Sequence, residues 1–163
     1  MHAAKQTDLV PFDACWAANI FSWVQSSEEL RWWSARDDFP LQTVNIFETW
    51  HADPDVSAYV LLNGSQQPVG YGEVWSDPEE NSVELARLII APSHRRQKFA
   101  SHLIDQLLAR PEAQSRHPAW VRVVPSNLPA VLCYQSVGFI RATPEVEHTR
   151  NQWQRFPFIW MSR

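Results

Sequence analysis

The spacing of apolar residues changes part-way along the chain, from the period of helices to that of strands. In the first third, apolar positions one turn apart predict a helix over 14–24, after a short strand over 9–12. Two serines at 26–27, ahead of two glutamates, predict the start of a second helix. We expect Thr43 to cap a third helical piece that ends near position 50.

From position 56 onward, strand-like and helix-like segments alternate. The predicted strands cover 56–62, 68–75, 83–91, 120–124, 139–142 and 152–161, and the predicted helices cover 95–110 and 128–137. The helix over 95–110 carries one apolar stripe, and Gly138 marks the end of the last helix. This order predicts a single domain over residues 1–163, of the α/β (mixed α+β) class, with helices on both faces of a mixed sheet.

Composition supports a folded domain and limits the choice of partners. The 163 residues are 45% hydrophobic and include nine tryptophans, which supply enough apolar surface for a core without disulfides or metals. A net charge of −4 disfavours a general nucleic-acid surface or an anionic-membrane surface. The six histidines show no H-E-x-x-H or clustered ligand spacing, so we expect no metal site.

The lack of a recognisable targeting signal and the cysteine usage favour a cytoplasmic location. No apolar run reaches the ~18 residues of a membrane span, and the first eight residues lack the apolar core of a signal peptide. The two cysteines, Cys15 and Cys133, are far apart and form no C-x-x-C pair.

Positive charge is concentrated in the turn between a buried strand and the clearest helix. Arg95, Arg96 and Lys98 follow the strand end at Pro92 and are three of the chain's 14 basic residues. The first N–H groups of a helix lack intrahelical partners, and the helix dipole is positive there. The pattern predicts an anion site, most naturally for phosphates; a solvated basic turn is the alternative. Neither a complete G-x-G-x-x-G fingerprint nor a G-x-x-x-x-G-K-[ST] loop occurs, which argues against binding of the NAD or ATP type.

Two segments resemble the signature elements of the GNAT superfamily, the acetyl-CoA-dependent N-acetyltransferases. Residues 92–100 (PSHRRQKFA) resemble its [Q/R]-x-x-G-x-[G/A] loop, which follows a strand and opens a helix. Residues 127–139 (NLPAVLCYQSVGF) resemble its second element, in which Asn, a helix with Tyr, and Gly-Phe follow a strand. With the flanking strands, the resemblance covers about residues 56–142. It implies a twisted, mostly antiparallel sheet of six or seven strands with one splayed strand pair.

The resemblance also implies acetyl-CoA as co-substrate. Its phosphates would lie on the loop, and a main-chain N–H near Ile89 or Ile90 would polarise the acetyl carbonyl. Lys98 stands where the family has a glycine; we expect it to lie helical, with its side chain turned outward and adding charge to a phosphate contact. Asn127 would hold the cofactor's arm, cap the following helix, or do both. The implied cofactor-binding residues are Ile89, Ile90, Arg95, Arg96, Gln97, Lys98, Phe99, Ala100 and Asn127.

The same resemblance implies two catalytic residues. Glu84, on the strand before the loop, would take a proton from the amine through water, since catalytic glutamates in some family members occupy a similar position. Burial would raise its pKa toward the useful range; alternatively, it pairs with Arg87 or Arg122. Tyr134 matches the tyrosine that protonates the departing thiolate, or else it is a core residue. Glu73 is the reserve candidate for the base or for an anchor of the amine.

The amine acceptor is not identified by the sequence. Segment 14–50 would form its wall, where tryptophans and carboxylates suit a cationic amine, although most of the tryptophans equally suit the core. We expect Trp33 and Glu73 to contact a small-molecule or peptide amine, with no nucleic acid or membrane partner, and a homodimer stays open. The alternative function is a catalytically silent module of the same fold that binds acyl-CoA or a protein partner, an alternative motivated by Lys98.

Overall fold

The computed structural model describes residues 6–41 and 45–163, so the expected helix cap at Thr43 lies outside the described residues. Within them, seven strands form one sheet in the order β1-β2-β3-β4-β5-β7-β6. The strands are β1 (Thr7–Pro11), β2 (Val56–Asn63), β3 (Pro68–Asp77), β4 (Ser82–Ile90), β5 (Ala119–Val123), β6 (Ile140–Arg141) and β7 (Ile159–Ser162). The helices are α1 (Ala17–Ser22), α2 (Ser27–Ser34), α3 (Ile46–Trp50), α4 (Phe99–Leu108), α5 (Pro111–Gln114), α6 (Leu128–Ser136) and α7 (Pro144–Asn151), with 3-10 turns at Ala14–Trp16 and Pro92–His94.

The sheet is open at its centre, between β4 and β5. These two strands run parallel, whereas the other neighbouring strands pair antiparallel. Their pairing comprises only Val83 with Ala119 and Glu84 with Trp120. Beyond Glu84 the pairing stops, so the rest of β4 has no strand partner on this side. The mixed, mostly antiparallel sheet and its splayed strand pair are therefore confirmed.

Helices cover both faces of the sheet, as the element order predicts. On one face, α4 buries Leu103 and Leu107 in a core shared with the strands and with α6. On the other face, α1 and α2 bury Ile20 and Leu30 in a second core. Gly72 on β3 permits the close approach of α4, because a Cβ atom there would lie 2.9 Å from Leu107 Cδ1.

The start of α2 agrees with the serine–glutamate pattern. Ser26 Oγ accepts a hydrogen bond from the Glu29 N–H at 3.1 Å, and the Glu29 carboxylate accepts one from the Gln25 N–H at 2.8 Å. These two bonds satisfy main-chain donors that the first turn leaves unpaired. The helix ends at Ala35, whose φ of 58° is left-handed.

Two predicted boundaries are wrong by four residues or more. Helix α4 begins at Phe99 rather than at 95, because Arg95 is extended and both Arg96 (φ 59°) and Lys98 (φ 68°) are left-handed. The last strand begins at Ile159 rather than at 152.

Helix α7 occupies part of the chain for which the apolar pattern predicts no helix. No residue of α7 is buried, so it carries no apolar stripe that a periodicity analysis could detect. Its signals are local: Thr143 Oγ1 accepts the Val146 N–H at 3.4 Å, and Pro144 takes the first helical position. Acidic residues in its first turn and basic residues in its last turn complement the helix dipole.

Candidate active site

A cleft opens where β4 separates from β5, and we call it the inner cleft. It has a volume of about 530 Å³ and is lined by α2, the end of β4, the first half of α4, α6, and His94, Arg95, Arg96 and Lys98 of the turn. Ile89 and Ile90 belong to its wall, as the sequence predicts. Because the end of β4 pairs with β3 but has no β5 partner, the main-chain N–H groups on its open edge are available to a bound molecule.

The turn between β4 and α4 forms the basic end of the inner cleft. The side chains of Arg96 and Lys98 are exposed and line the cleft, together with Ala100 of α4. The His102 N–H donates to the Lys98 carbonyl at 3.1 Å, so the N–H groups of Ala100 and Ser101 lie ahead of the first helical bond in this turn. Positive charge and helix-start amides therefore meet at one place, which suits an anion.

The conformation of Lys98 corrects one expectation. This residue is not helical but left-handed, with φ 68°, in the region that glycine adopts without strain. The lysine therefore keeps the turn that the family's glycine would make, at a small conformational cost, and presents its side chain to solvent beside the cleft.

The side chain of Arg95 lines the inner cleft, but its guanidinium is bonded within the protein. Its guanidinium donates to the carbonyl of Ile90 at 3.0 Å, to the carbonyl of Trp23 at 3.1 Å and to the Glu29 carboxylate at 2.6 Å. These bonds attach α1 and α2 to the end of β4. Arg95 thus positions the loop, and its guanidinium is already engaged within the protein.

Three further loop and helix-cap residues have structural roles. The Gln97 side chain donates to the Ser93 carbonyl at 3.0 Å, and Phe99 is buried in the core below α4. Neither side chain is among the described residues that line the inner cleft. Asn127 Oδ1 accepts the Ala130 N–H at 3.3 Å, which confirms its reading as the cap of α6, and the residue also lines the cleft.

Tyr134 lies at the inner end of the cleft, on α6. It is buried, and within the described parts of the chain its hydroxyl has no hydrogen-bond partner. Burial raises the pKa of Tyr134 above its ordinary value of 10, and the nearby Cys133 and Glu84 act in the same direction. The hydroxyl therefore stays protonated at neutral pH and can donate a proton to an anion held beside it.

A smaller cavity of about 210 Å³, which we call the junction, continues from the inner cleft. Tyr134 lines both, and the junction also contains Glu84 and Arg87. Glu84 is paired with Arg122, through contacts of 2.5 and 3.0 Å, as one of the two alternatives for it predicts. Burial raises the pKa of Glu84 above 4.5, against the opposing charge of Arg122.

Glu73 is fully buried, which corrects its expected role as a reserve base or amine anchor. Its carboxylate accepts hydrogen bonds from the Tyr71 hydroxyl, from Trp75 Nε1 at 2.6 Å and from Arg87 Nη1 at 2.7 Å. Burial alone would raise the pKa of Glu73, but hydrogen bonding with His51, the charge of Arg87 and the bonds from Tyr71 and Trp75 outweigh it and lower the pKa. A carboxylate that already accepts several hydrogen bonds and has a lowered pKa is poorly suited to accept a proton.

Trp33 also has a role that its sequence position does not indicate. The side chain is only 6% exposed, and its Nε1 donates to the Arg87 carbonyl at 2.7 Å. This bond supports β4, and the side chain also lines the inner cleft and the junction.

A third cavity, the outer cleft, has a volume of about 730 Å³ and shares Trp75, Glu84 and Arg87 with the junction. Its two arginines are paired, Arg87 with Glu73 and Arg150 with Glu80. Four of its carboxylates form no ion pair with any described residue: Asp53, Asp55, Asp77 and Glu79. The outer cleft is therefore acidic, and it leads to Glu84.

Sequence reasoning overlooks the outer cleft and the partners of Glu73. One signal was present: Tyr71, Glu73 and Trp75 alternate along β3 and so share one face of the sheet. The acidic wall comes from two separate turns, at 53–55 and 77–79, whose proximity no local pattern reveals.

Comparison with known proteins identifies the family. No curated protein matches the sequence significantly. A sequence model described as the acetyltransferase (GNAT) family matches residues 22–139. The chain belongs to this family. The match confirms the resemblance found in the sequence and the prediction of an acyltransferase.

Solved structures share the fold of this GNAT chain at low sequence identity. Spermidine N-acetyltransferase from Vibrio cholerae, in complex with CoA and spermine, has 20% identity and a TM-score of 0.73, with 96% of this chain and 93% of that chain covered. An acetyltransferase from Thermus thermophilus has 21% identity and a TM-score of 0.73, with coverage of 100% and 99%. An aminoglycoside acetyltransferase in complex with coenzyme A has 19% identity and a TM-score of 0.69, with coverage of 97% and 94%.

Two negative findings apply to the described residues. No helix among them is long and apolar enough to cross a membrane. Within the same residues, no group of three or more His, Cys, Asp or Glu side chains could hold a metal ion.

Proposed function

We propose that the protein is an N-acetyltransferase that moves the acetyl group of acetyl-CoA directly to a primary amine of a small molecule. The observation that carries this proposal is the inner cleft, where the basic turn, the unpaired end of β4 and the Tyr134 hydroxyl converge. Family membership supports the acyl-transfer chemistry.

The residues of the inner cleft fit acetyl-CoA. A volume of about 530 Å³ lies within the range of roughly 300–1,000 Å³ that is usual for ligand sites. Arg96, Lys98 and the first N–H groups of α4 would bind the phosphates. Leu88, Ile89 and the open edge of β4 would hold the arm of the cofactor.

The proposed reaction needs one proton acceptor and one proton donor. Acetyl-CoA supplies an acetyl thioester. An ammonium group first loses a proton to Glu84, through water, and the neutral nitrogen then forms the C–N bond as the C–S bond breaks. The electron pair of the broken bond stays on sulfur, and Tyr134 donates its proton to that sulfur. The acylated nitrogen then releases its second proton, which returns through water to the Tyr134 oxygen and restores the hydroxyl, while the proton on Glu84 passes to solvent. Glu84 suits its role because burial raises the pKa of this carboxyl toward the range of a useful base.

The outer cleft supports a cationic small-molecule acceptor. Its four carboxylates without ion pairs favour a positively charged ligand, and it leads to Glu84. Two of the structural neighbours carry names that refer to amines of this kind, spermidine and an aminoglycoside. A cytoplasmic location, supported by the two free cysteines, completes the proposal.

A catalytically silent module is the alternative, motivated by Lys98 in the place of a glycine. The left-handed φ of 68° at Lys98 weakens this motive, because the turn is made without the glycine.

Calorimetry with acetyl-CoA, followed by thiol-release assays with a panel of amines, tests the proposal. We expect saturable binding and acceptor-dependent release of the CoA thiol. Binding without thiol release across the panel would support a silent module that binds acyl-CoA. Absence of binding would overturn the transferase and that module, and would leave only a module that binds a protein partner.

A further inference from the structure

Strand β4 contains a bulge at the point where it faces the junction. Tyr71 pairs with Ile89 and Glu73 pairs with Ala86, so Arg87 and Leu88 together oppose the single residue between them on β3. Arg87 has φ 48°, in the left-handed region that disfavours a residue with a side chain. A conformation of this kind persists only where the surrounding structure imposes it.

The surrounding contacts hold Arg87 from three directions. Its guanidinium lies over the ring of Trp50, with Cζ 3.9 Å from the ring centroid, and 4.9 Å from that of Trp75. Its Nη1 donates to the Glu73 carboxylate at 2.7 Å. Its carbonyl accepts the Trp33 Nε1–H at 2.7 Å. Side chain and main chain of Arg87 are therefore both fixed.

The buried carboxylate of Glu73 lies at the centre of the contacts that hold Arg87. The carboxylate has no exposure to solvent and is held by Tyr71 and Trp75 in addition to Arg87. The Tyr71 hydroxyl is in turn 2.9 Å from His51 Nε2. A buried carboxylate without the arginine would be costly, so each partner of the pair requires the other.

The bulge determines where the following main chain points. Ile89 and Ile90 come directly after it, on the part of β4 that has no β5 partner, and together with Leu88 they line the inner cleft. A main-chain N–H there can polarise a carbonyl only if its position is held to within a fraction of an ångström and its direction to within about 10–20°.

We infer that Glu73 is a positioning residue, which acts through Arg87 to hold the β4 bulge and so to aim the main-chain N–H that polarises the acetyl carbonyl. This inference rests on the proposed function. It gives the buried Glu73–Arg87 pair a role in the reaction, although Glu73 itself touches no substrate.

The test compares Glu73→Gln with Glu147→Gln. Glu147 also forms an ion pair with an arginine, Arg141, at 2.8 Å, and it lies outside the three clefts. The readouts are kcat, the Kd for acetyl-CoA, and the infrared C=O stretching band of protein-bound acetyl-CoA labelled with ¹³C at the carbonyl. The band reports polarisation of the carbonyl directly, which a merely structural contribution to folding would not alter.

We expect Glu73→Gln to lower kcat by about 10- to 100-fold, less than the loss of a whole oxyanion donor, with the Kd changed by less than about threefold. The carbonyl band of the wild-type complex should lie below that of free acetyl-CoA and should return toward it in the variant. Glu147→Gln should match the wild type in all three readouts.

A second variant covers the case in which Glu73→Gln does not fold. The double variant Glu73→Gln/Arg87→Met removes both charges and so leaves no buried charge unpaired. It should show the same loss of kcat and the same band shift. A folded variant of either kind that retains the wild-type kcat and band position overturns the inference. A wild-type protein that binds acetyl-CoA but transfers no acetyl group overturns the proposed function, and the inference with it.

Discussion

The Tyr134 hydroxyl has no protein partner among the described residues, so its removal is a clean test of the proposed proton donor. We expect Tyr134→Phe to lower kcat by about 10²- to 10⁴-fold, because the thiolate would leave without its proton. The Kd for acetyl-CoA and the unfolding midpoint should change little, since no hydrogen bond within the protein is lost. Steady-state kinetics with calorimetry provides both numbers.

Tyr59→Phe serves as the matched control for Tyr134. Tyr59 is also buried, and its hydroxyl bonds Glu112 outside the three clefts. Its kcat should stay at the wild-type level. Full activity in Tyr134→Phe would mean that sulfur receives its proton from another source.

The protonation of Glu84 predicts the pH dependence of the reaction. A base works when deprotonated, so kcat/KM falls as the pH drops through the pKa of the group. Burial raises the pKa of Glu84 above 4.5, against the opposing charge of Arg122, so the acidic limb should lie above the pH at which an exposed glutamate titrates.

In Glu84→Gln this limb should disappear, and kcat should fall by about 10²-fold or more at neutral pH. The pH–rate profile of Glu147→Gln should retain the limb. An unaltered limb in Glu84→Gln would assign the base to another group and leave Glu84 as the partner of Arg122.

Individual residues differ in how far the sequence could define their roles. The residue types of the basic turn indicate an anion site, whereas Glu84 and Tyr134 are found through the resemblance to the GNAT family. The direction of a side chain is a different matter, because it depends on partners that are distant in sequence. Arg95, for example, bonds Glu29 and Trp23, which lie more than 60 positions away.

At the scale of elements, the loop between β4 and α4 divides its work between two adjacent arginines. Arg96 is exposed beside the inner cleft, and no described residue is recorded as its partner, whereas Arg95 is bonded within the protein. We expect Arg96→Ala to weaken CoA binding by about five- to thirtyfold without a change in stability, because one charge-assisted contact to a phosphate is lost. Calorimetry at two salt concentrations measures the effect.

Arg95→Ala should instead lower the free energy of unfolding by about 1–3 kcal/mol, since it removes the bonds that attach α1 and α2 to β4. The control for Arg96→Ala is Arg141→Ala, on β6 outside the clefts, which also removes one positive charge. Equal CoA affinity in Arg96→Ala and Arg141→Ala would exclude Arg96 from the phosphate site.

Elements with an apolar stripe could be predicted, and elements without one could not. Helix α4 and strands β2 to β4 bury one or both faces, so their spacing identifies them. Helix α7 buries nothing and depends on its caps and charges. The start of α4 is misplaced because left-handed residues are normally glycines, and here the chain uses Arg96 and Lys98.

At the scale of the whole molecule, the three clefts form one route from the basic turn to the acidic outer surface. Among the residues that the structure describes, Arg96 and Lys98 of the inner cleft form no ion pair, and neither do four carboxylates of the outer cleft. The junction, with Glu84 and Tyr134, lies between them. This polarity suits an anionic donor on one side and a cationic acceptor on the other, although the net charge of −4 gives no hint of it.

The outer cleft therefore predicts a charge requirement in the acceptor. Asp55 and Glu79 are exposed, and their carboxylates make neither a hydrogen bond nor an ion pair with described residues, so Asp55→Asn/Glu79→Gln should fold normally. Each exposed charge contributes about 0.2–1 kcal/mol to binding a cation, so the double variant should raise KM for a diamine by about two- to thirtyfold. The KM for acetyl-CoA should not change.

Salt and acceptor charge distinguish this effect from a general change in net charge. In the wild type, KM for a diamine should rise with ionic strength more steeply than in the double variant, because salt screens the carboxylates that the variant lacks. In Asp55→Asn/Glu79→Gln, KM for a monoamine should rise less than KM for a diamine. The control Asp105→Asn/Glu145→Gln removes two charges outside the clefts, and its KM for either amine should stay at the wild-type value. If this control raises KM as much as Asp55→Asn/Glu79→Gln does, the outer cleft does not select the acceptor by charge, and the amine reaches Glu84 by another path.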